Sequence, residues 1–510
     1  MIIFKNVSFT YKKSPEPVLE NLGEQITSNL VITGPSGSGK STILRLINGL
    51  IPHFYEGKFT GDVVVAGRNT KELTTCELFK LAGYVHQNAD AQIFNDNIEN
   101  EIIFTLENAG LSPDVIEERL QWVIEEFGLN SILKKRTHEL SGGEKRIVTL
   151  ASAISLRPSI ILLDEPFSTL DGLYREKLMK LLQRMDDTLI VLTEHRIDGV
   201  EKFAKKFMFI KDSVNRIVTD NLLKINFANF RVREPELLRL SKLAGFNKIP
   251  DLNVLIKKLL DMSYSPEFVY PLYHGEKILS LYDVSFNYNH SFSLEKINIE
   301  LHRGEVVTLL GPNGAGKTTV MKLMAGIKTP HKGIITRNEL TGFVPQNPQD
   351  IFFKSSVAEE IRVNLRGGDT WIEKIIHLFG LEKLLHRSPF LLSEGEKKRV
   401  AMAAILAMKP GILLLDEPTI GQDGETIRAM EDIITTLSKE GVTVVVSTHD
   451  LEFARKISGR WLLMRNGRIV SEVNPVDVTQ RDLEIFEELH LDPGISLRIQ
   501  ALRNDSRSKS

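Results

Sequence analysis

Twice in this chain a lysine and a hydroxyl residue close a run rich in glycine. Gly34, Pro35, Ser36, Gly37, Ser38, Gly39, Lys40, Ser41 and Thr42 follow the apolar run Leu30-Val31-Ile32. Gly311, Pro312, Asn313, Gly314, Ala315, Gly316, Lys317, Thr318 and Thr319 follow Val306-Val307-Thr308-Leu309-Leu310. Both fit the phosphate-binding P-loop, set between a strand and a helix. Glycines let successive backbone N–H groups turn inward onto a polyphosphate, and the next helix presents its positive end to the same anion. Lys40 and Lys317 are placed to reach the β- and γ-phosphates, and the hydroxyls of Ser41 and Thr318 to ligate Mg²⁺. The chemistry expected is binding of nucleoside triphosphate, at two sites.

Further groups recur in the same order. Ile161-Leu162-Leu163-Asp164-Glu165-Pro166 matches Leu413-Leu414-Leu415-Asp416-Glu417-Pro418. Asp164 and Asp416 end apolar strands, where a carboxylate can hold Mg²⁺ beside the P-loop hydroxyl, and Glu165 and Glu417 can polarise an attacking water. Leu140-Ser141-Gly142-Gly143-Glu144 matches Leu392-Ser393-Glu394-Gly395-Glu396. Ser-x-x-Glu is a capping box, so Ser141 and Ser393 are expected to open helices. The small residues behind each serine, Gly142 and Gly143 in one copy and Gly395 in the other, would let a phosphate approach that helix end. Gln87 and Gln346 are candidates to bridge Mg²⁺ or water to a mobile loop. His195 and His449, at the ends of apolar strands, are candidates for γ-phosphate contact. Tyr11 and Tyr288 are candidates to stack on an adenine ring.

The elements that position these groups form one module written twice. Val7-Ser8-Phe9-Thr10-Tyr11 matches Val284-Ser285-Phe286-Asn287-Tyr288, and in both copies the strand-end aspartate comes 23 positions after the signature serine. Continuous Val/Ile/Leu runs predict strands buried on both faces of a mainly parallel sheet. Val115, Ile116, Leu120, Val123, Ile124 and Phe127 recur at helical spacing, as do Ile372, Ile375, Ile376 and Leu378, so each α/β core carries a helical insert. The expected organisation is a first domain over 1–218, a connector with short helices over 219–276, a second domain over 277–472 and an extension over 473–510. Pro250, Pro266 and Pro271 punctuate the connector, Asn466-Gly467 signals a hairpin turn, and 503–510 reads as a disordered tail.

With 510 residues, 42% hydrophobic and 25% charged, the chain has the composition of a multidomain globular protein. Its net charge of −2 gives no overall pull toward nucleic acid. One cysteine, Cys76, excludes internal disulfides and cysteine-rich metal clusters, and its expected place is buried or half-buried. There is no apolar run of membrane-spanning length and no signal-peptide pattern at the N-terminus, so a cytosolic location, or the cytosolic face of a membrane, is expected.

Taken together, these motifs resemble those of ATP-binding cassette ATPases: P-loop, glutamine loop, Leu-Ser-Gly-Gly signature, Asp-Glu pair and switch histidine. The resemblance covers residues 1–215 and 277–472. It implies a pseudo-dimer of two head-to-tail nucleotide-binding domains, α/β in class, sharing two ATP with Mg²⁺. Lys40 would then share its ATP with Ser393, and Lys317 with Ser141. Asp171 and Asp423 resemble the loops that communicate across that interface. Gln87-Asn88-Ala89-Asp90-Ala91-Gln92-Ile93-Phe94 is similar to the glutamine loop of energy-coupling factor importers, which take up vitamins and metal ions. That likeness implies two kinds of membrane partner, a transmembrane coupling protein and a substrate-binding membrane protein. The alternatives are a twin cassette acting on ribosomes, a sugar importer's ATPase and a DNA-repair or chromosome ATPase. The last would need an inserted coiled coil, and the iron–sulfur type of ribosome-recycling factor would need cysteine clusters. Glu394 departs from the signature glycine. Close to a γ-phosphate its carboxylate would cost on the order of 4 kcal/mol, so it is expected to point away or to weaken the Lys40 site.

Overall fold

The structure, a computed structural model, describes residues 1–168, 170–201, 203–268, 275–288, 292–363, 365–366 and 368–508. Thr169, between Ser168 and Leu170, and the connector's Pro271 lie outside the described residues. The chain divides into two units, Met1–Leu238 and Arg239–Ser510, and the division falls inside the helix Glu236–Leu243.

In the first unit a six-stranded sheet runs in the order Arg216–Thr219, Lys206–Ile210, Leu30–Thr33, Leu189–Glu194, Ile160–Asp164, Ala82–Val85. Every pairing is parallel except that of the edge strand Arg216–Thr219. The central strands are apolar on both faces because helices cover both. Ile160 to Leu163 are all buried, each such side chain contributing about 2 kcal/mol. A second, antiparallel sheet is built around the long strand Ile2–Tyr11, which pairs with Leu19–Leu22, Gln25–Ile26 and Gly57–Val65.

The second unit repeats the order strand for strand: Arg468–Val473, Arg460–Arg465, Val306–Leu310, Thr443–Thr448, Ile412–Asp416, Thr341–Val344. Its antiparallel sheet joins Phe292–His302, Lys277–Tyr288 and Lys332–Arg337. The predicted insert helices are present as Pro113–Phe127 and Asp369–Phe379, and they bury Leu120, Val123, Ile124 and Phe127 in one unit and Ile372, Ile375 and Phe379 in the other. Asn466 and Gly467 form the expected two-residue hairpin turn, both at positive φ.

Two expectations fail. The stretch 503–508 is not disordered but continues the helix Gly494–Ser508, and residues 509–510 lie outside the described part. Leu497 and Ala501 on that helix join a core with Trp461, Val478, Leu483 and Phe486, and the helix also meets the connector helix Leu252–Asp261. The Asn504 amide donates to the carbonyls of Val476 and Val478 at 2.9 and 2.8 Å. The polar end is therefore carried by its apolar start. Cys76, in turn, is exposed rather than buried: it sits in the first turn of Thr75–Leu81, whose inward residue is Leu78.

Candidate nucleotide site

Parallel pairing brings the chemistry to one edge. Thr33, the last strand residue before the P-loop, pairs with Glu194, and Asp164 pairs with Thr193. In the second unit Leu310 pairs with Thr448 and Asp416 with Ser447. The two glycine loops, the acidic pairs and the histidines thus leave neighbouring strands at their carboxyl ends, where open α/β sheets bind ligands.

The loops need glycine for space as much as for φ. A Cβ on Gly34 would lie 2.1 Å from the carbonyl oxygen of Ile210, and one on Gly311 2.3 Å from that of Met464. Gly39 and Gly316 cap the helices Lys40–Ile47 and Lys317–Met324 in the left-handed region, at φ 95° and 105°. Each lysine folds back over its own loop. Lys40 Nζ donates to the carbonyls of Gly34 and Pro35, both at 2.9 Å. Lys317 Nζ does so to Gly311 and Pro312, at 2.6 and 3.2 Å. Ser38 Oγ is buried without a hydrogen-bond partner among the described residues, a polar atom that suits a phosphate oxygen. Ala315 holds the matching position in the second loop.

The proposed magnesium groups lie together. Ser41 Oγ donates to Asp164 at 3.0 Å and Thr318 Oγ1 to Asp416 at 2.7 Å. One carboxylate beside one hydroxyl suits Mg²⁺, which takes its other oxygens from phosphates and water. Thr193 and Ser447 also donate to these aspartates, from the next strand. Burial pushes the Asp416 carboxyl up, despite the Ser447 and Thr318 bonds and helped by neighbouring Glu417.

Glu165 and Glu417 are both buried and both left-handed, at φ 47° and 45°. Glutamate rarely adopts that conformation, and it is held here by paired backbone bonds. Glu165 N–H donates to the carbonyl and hydroxyl of Thr193, both at 3.1 Å, and Glu417 N–H to those of Ser447 at 3.1 and 3.0 Å. His195 stands 2.9 Å from Glu165, and His449 3.2 Å from Glu417. Burial alone would raise both carboxyls. For Glu165 this is outweighed by His195, Lys40 and Arg146, and for Glu417 by His449 and Lys317, which hold it down to about 2.

The glutamines part company. Gln87 Nε2 donates to Glu165 at 2.9 Å, whereas Gln346 is exposed and its side chain makes no hydrogen bond to a described residue. The tyrosines lie on the antiparallel sheets. Tyr11 shares a hydrogen bond with Thr42 at 3.1 Å, and Tyr288 lies under Lys328. Ser141 and Ser393 open their helices with complete capping boxes, as expected. Nothing described lies within 4 Å of a Cβ on Gly142, and at the matched position of the second unit the Glu394 carboxylate meets Lys397 at 2.9 Å. A Cβ on Gly143 would strike the Tyr174 ring at 2.6 Å, and one on Gly395 would reach Gln422 at 2.9 Å. Asp171 and Asp423 cap the helices Gly172–Gln183 and Gly424–Lys439.

Other residues at the site escaped the sequence reading. Tyr84 donates to Asp164 at 3.0 Å, Gln92 clamps the glutamine loop through His86 N–H and the Tyr84 carbonyl, and Arg146 and Glu194 lie buried behind Glu165. Aligning the two copies marks all four as differences: Phe343 stands at position 84, Ile351 at 92, Lys398 at 146 and Thr448 at 194.

The family model described as ABC transporter matches residues 23–168 and 294–420. An ABC transporter ATP-binding protein of Enterococcus faecalis is 31% identical, over 94% of this chain and 91% of its own. One from Treponema denticola is 32% identical, over 93% and 97%. Among solved structures, an archaeal ribosome recycling factor in complex with the ribosomal stalk protein aP1 shares the fold at TM-score 0.62 and 21% identity, over 94% of this chain and 92% of its own. No described helix is long and apolar enough to cross a membrane. With both phosphate loops falling inside the matched stretches and the acidic pairs placed beside them, the chain belongs to the ABC transporter family, as an ATPase of two fused cassettes that works on ATP with Mg²⁺.

Proposed function

We propose that this ATPase is the energising subunit of an importer of the energy-coupling factor type. It binds two ATP and drives uptake of a vitamin or metal ion through separate membrane subunits, a transmembrane coupling protein and a substrate-binding membrane protein. In this reading Glu165 and Glu417 activate water, His195 and His449 contact the γ-phosphate, and the chain sits at the cytoplasmic face of the membrane through its partners. The observation that carries the reading is a groove of about 500 Å³ in the first unit, opening beside the glutamine loop. Phe79, Tyr84, Gln92, Phe94 and Phe104 line it, and Phe94 and Phe104 are 75% and 43% exposed. An apolar groove of this kind takes the anchors of a short partner helix. Motion of the loop that carries Gln87 would then be felt by the membrane subunit. The relatives named as ABC transporter ATP-binding proteins support a transport role.

The test is capture of the tagged full-length chain from its own cells in mild detergent, beside Phe94→Asp. Multi-spanning membrane proteins recovered by the parent and lost in the variant are the expected outcome. Ribosomal proteins in their place would overturn the importer reading in favour of a twin cassette working on translation.

A further inference from the structure

We infer that Arg146 is a positioning residue that ties the glutamine loop to the carboxylate segment of the first unit, and that the second unit is built without this tie. Arg146 lies on the helix Gly142–Ser155 and is 2% exposed. Its guanidinium donates to the carbonyl of His86, to that of Gln87 at 2.6 Å and to that of Glu165 at 3.3 Å. One planar cation therefore serves two chain segments 78 residues apart. On the far side of the same junction the Gln87 amide meets the Glu165 carboxylate. Lys145, the preceding residue, reaches Asp90 on the same loop.

At the matched position of the second unit stands Lys398, also buried. Its ammonium donates to the carbonyls of Glu417, Pro418 and Ile420 at 3.1, 3.0 and 3.0 Å, all on the carboxylate segment. Lys397 turns back to Glu394 of its own helix, and Phe343 has no hydroxyl to offer. The physical reason is the shape of the cation. A guanidinium is a fork whose donors diverge in one plane, whereas an ammonium is a compact point that one cluster of carbonyls satisfies. A change at Glu165 is passed to the loop 86–94 through Arg146. A change at Glu417 has no such route to the loop around Gln346 among the described residues. The two copies thus divide the work, the first loop following its site and the second moving independently. The inference rests on the proposed roles of Glu165 and Gln87.

Amide hydrogen exchange reads this directly. The background is the full-length chain carrying Glu165→Gln and Glu417→Gln, which holds ATP without turning it over. Peptides over 84–95 and 343–354 are followed with and without Mg-ATP, and fluorescent-nucleotide binding and melting temperature are recorded alongside. ATP is expected to slow exchange about five-fold or more over 84–95 and less than about two-fold over 343–354. Arg146→Lys, which installs the second unit's residue, is expected to bring the first figure below about two-fold while ATP still binds. Lys398→Arg is expected to raise the second. Slowing over 84–95 that survives Arg146→Lys overturns the tie. ATP binding with no slowing there in the background chain overturns the role given to the loop, and the tie with it. If Arg146→Lys melts early, Lys398→Arg decides: slowed exchange over 343–354 supports the inference and unchanged exchange overturns it.

Discussion

Nε2 of His195 stands 2.9 Å from Oε1 of Glu165, whereas in the second unit it is Nδ1 of His449 that stands 3.2 Å from Oε2 of Glu417. The same acid–imidazole pair is made through opposite ring nitrogens. The other partners differ as well. Glu417 has the Lys317 ammonium at 3.3 Å, while Glu165 receives the amide of Gln87 and is lowered by Lys40 as well as by His195. The ammonium is one reason the Glu417 carboxyl sits as low as about 2.

In the proposed mechanism a phosphate that draws Lys317 off releases Glu417 to activate water, and both carboxylates are needed. Glu165→Gln and Glu417→Gln are each expected to lower steady-state ATPase turnover, and the double variant to fall by about a hundred-fold or more. Phosphate release assays on the three variants check this. A double variant that keeps turnover within about three-fold of the parent would remove these residues from catalysis.

Glu394 was the one residue whose type argued for unequal sites. Its carboxylate is half exposed, in the first turn of its helix, and is matched by Lys397. A charge so placed is screened by solvent. Glu394→Gly is therefore expected to change turnover by less than about three-fold, and a loss or gain beyond about ten-fold would show that the carboxylate faces the nucleotide.

Local chemistry was legible in the sequence, and tertiary convergence was not. The glycine loops, the capping boxes at Ser141 and Ser393 and the turn at Asn466-Gly467 are each specified within a few residues, so their types and spacing suffice. Arg146 meets Gln87 only because the fold brings the signature helix under a loop 59 residues earlier, and no local pattern encodes that. Residues 503–508 misled for the same reason. Their composition is that of an unfolded tail, but they extend a helix anchored upstream by Leu497 and Ala501.

The site's aspartates offer a test of redundancy. Asp164 accepts from the side chains of Ser41, Thr193 and Tyr84, whereas Asp416 accepts, among the described residues, from those of Thr318 and Ser447, Phe343 standing in place of the tyrosine. The second unit shows what the first becomes without the phenol. Tyr84→Phe is expected to keep turnover within about three-fold, whereas Asp164→Asn, which removes the charge proposed to hold Mg²⁺, should raise the magnesium needed for half-maximal turnover by about ten-fold or more. Magnesium titrations of both variants separate the two roles, and equal effects would place the tyrosine among the essential ligand-positioning groups.

At Gly34 the constraint is steric. A methyl group there collides with the Ile210 carbonyl, a backbone atom fixed by the sheet. Gly34→Ala is expected to cost about 3 kcal/mol or more, read as a lower melting temperature with loss of ATP binding. Gly142→Ala meets nothing within 4 Å and should melt within a few degrees of the parent.

Glu194 gives the pH prediction. Its side chain is buried, accepts the Phe167 N–H at 2.7 Å, and feels the charges of Glu165, Arg175 and Arg146. Burial and the Glu165 charge raise its carboxyl to about 8, more than the two arginines and the Phe167 bond lower it. The folded state therefore holds a proton that the unfolded chain gives up near the ordinary carboxylate value. The stabilisation is fully present below that value and is lost as pH rises through 8. From pH 6 to 9 the loss is on the order of 2 kcal/mol. Glu194→Gln keeps an acceptor for Phe167 and removes the titration. The parent's first unfolding transition is expected to drop in temperature over this range, and that of Glu194→Gln to drop measurably less. Parallel pH profiles for the two proteins would mean that Glu194 is already ionised at neutral pH, held by Arg175 and Arg146 as a buried ion network.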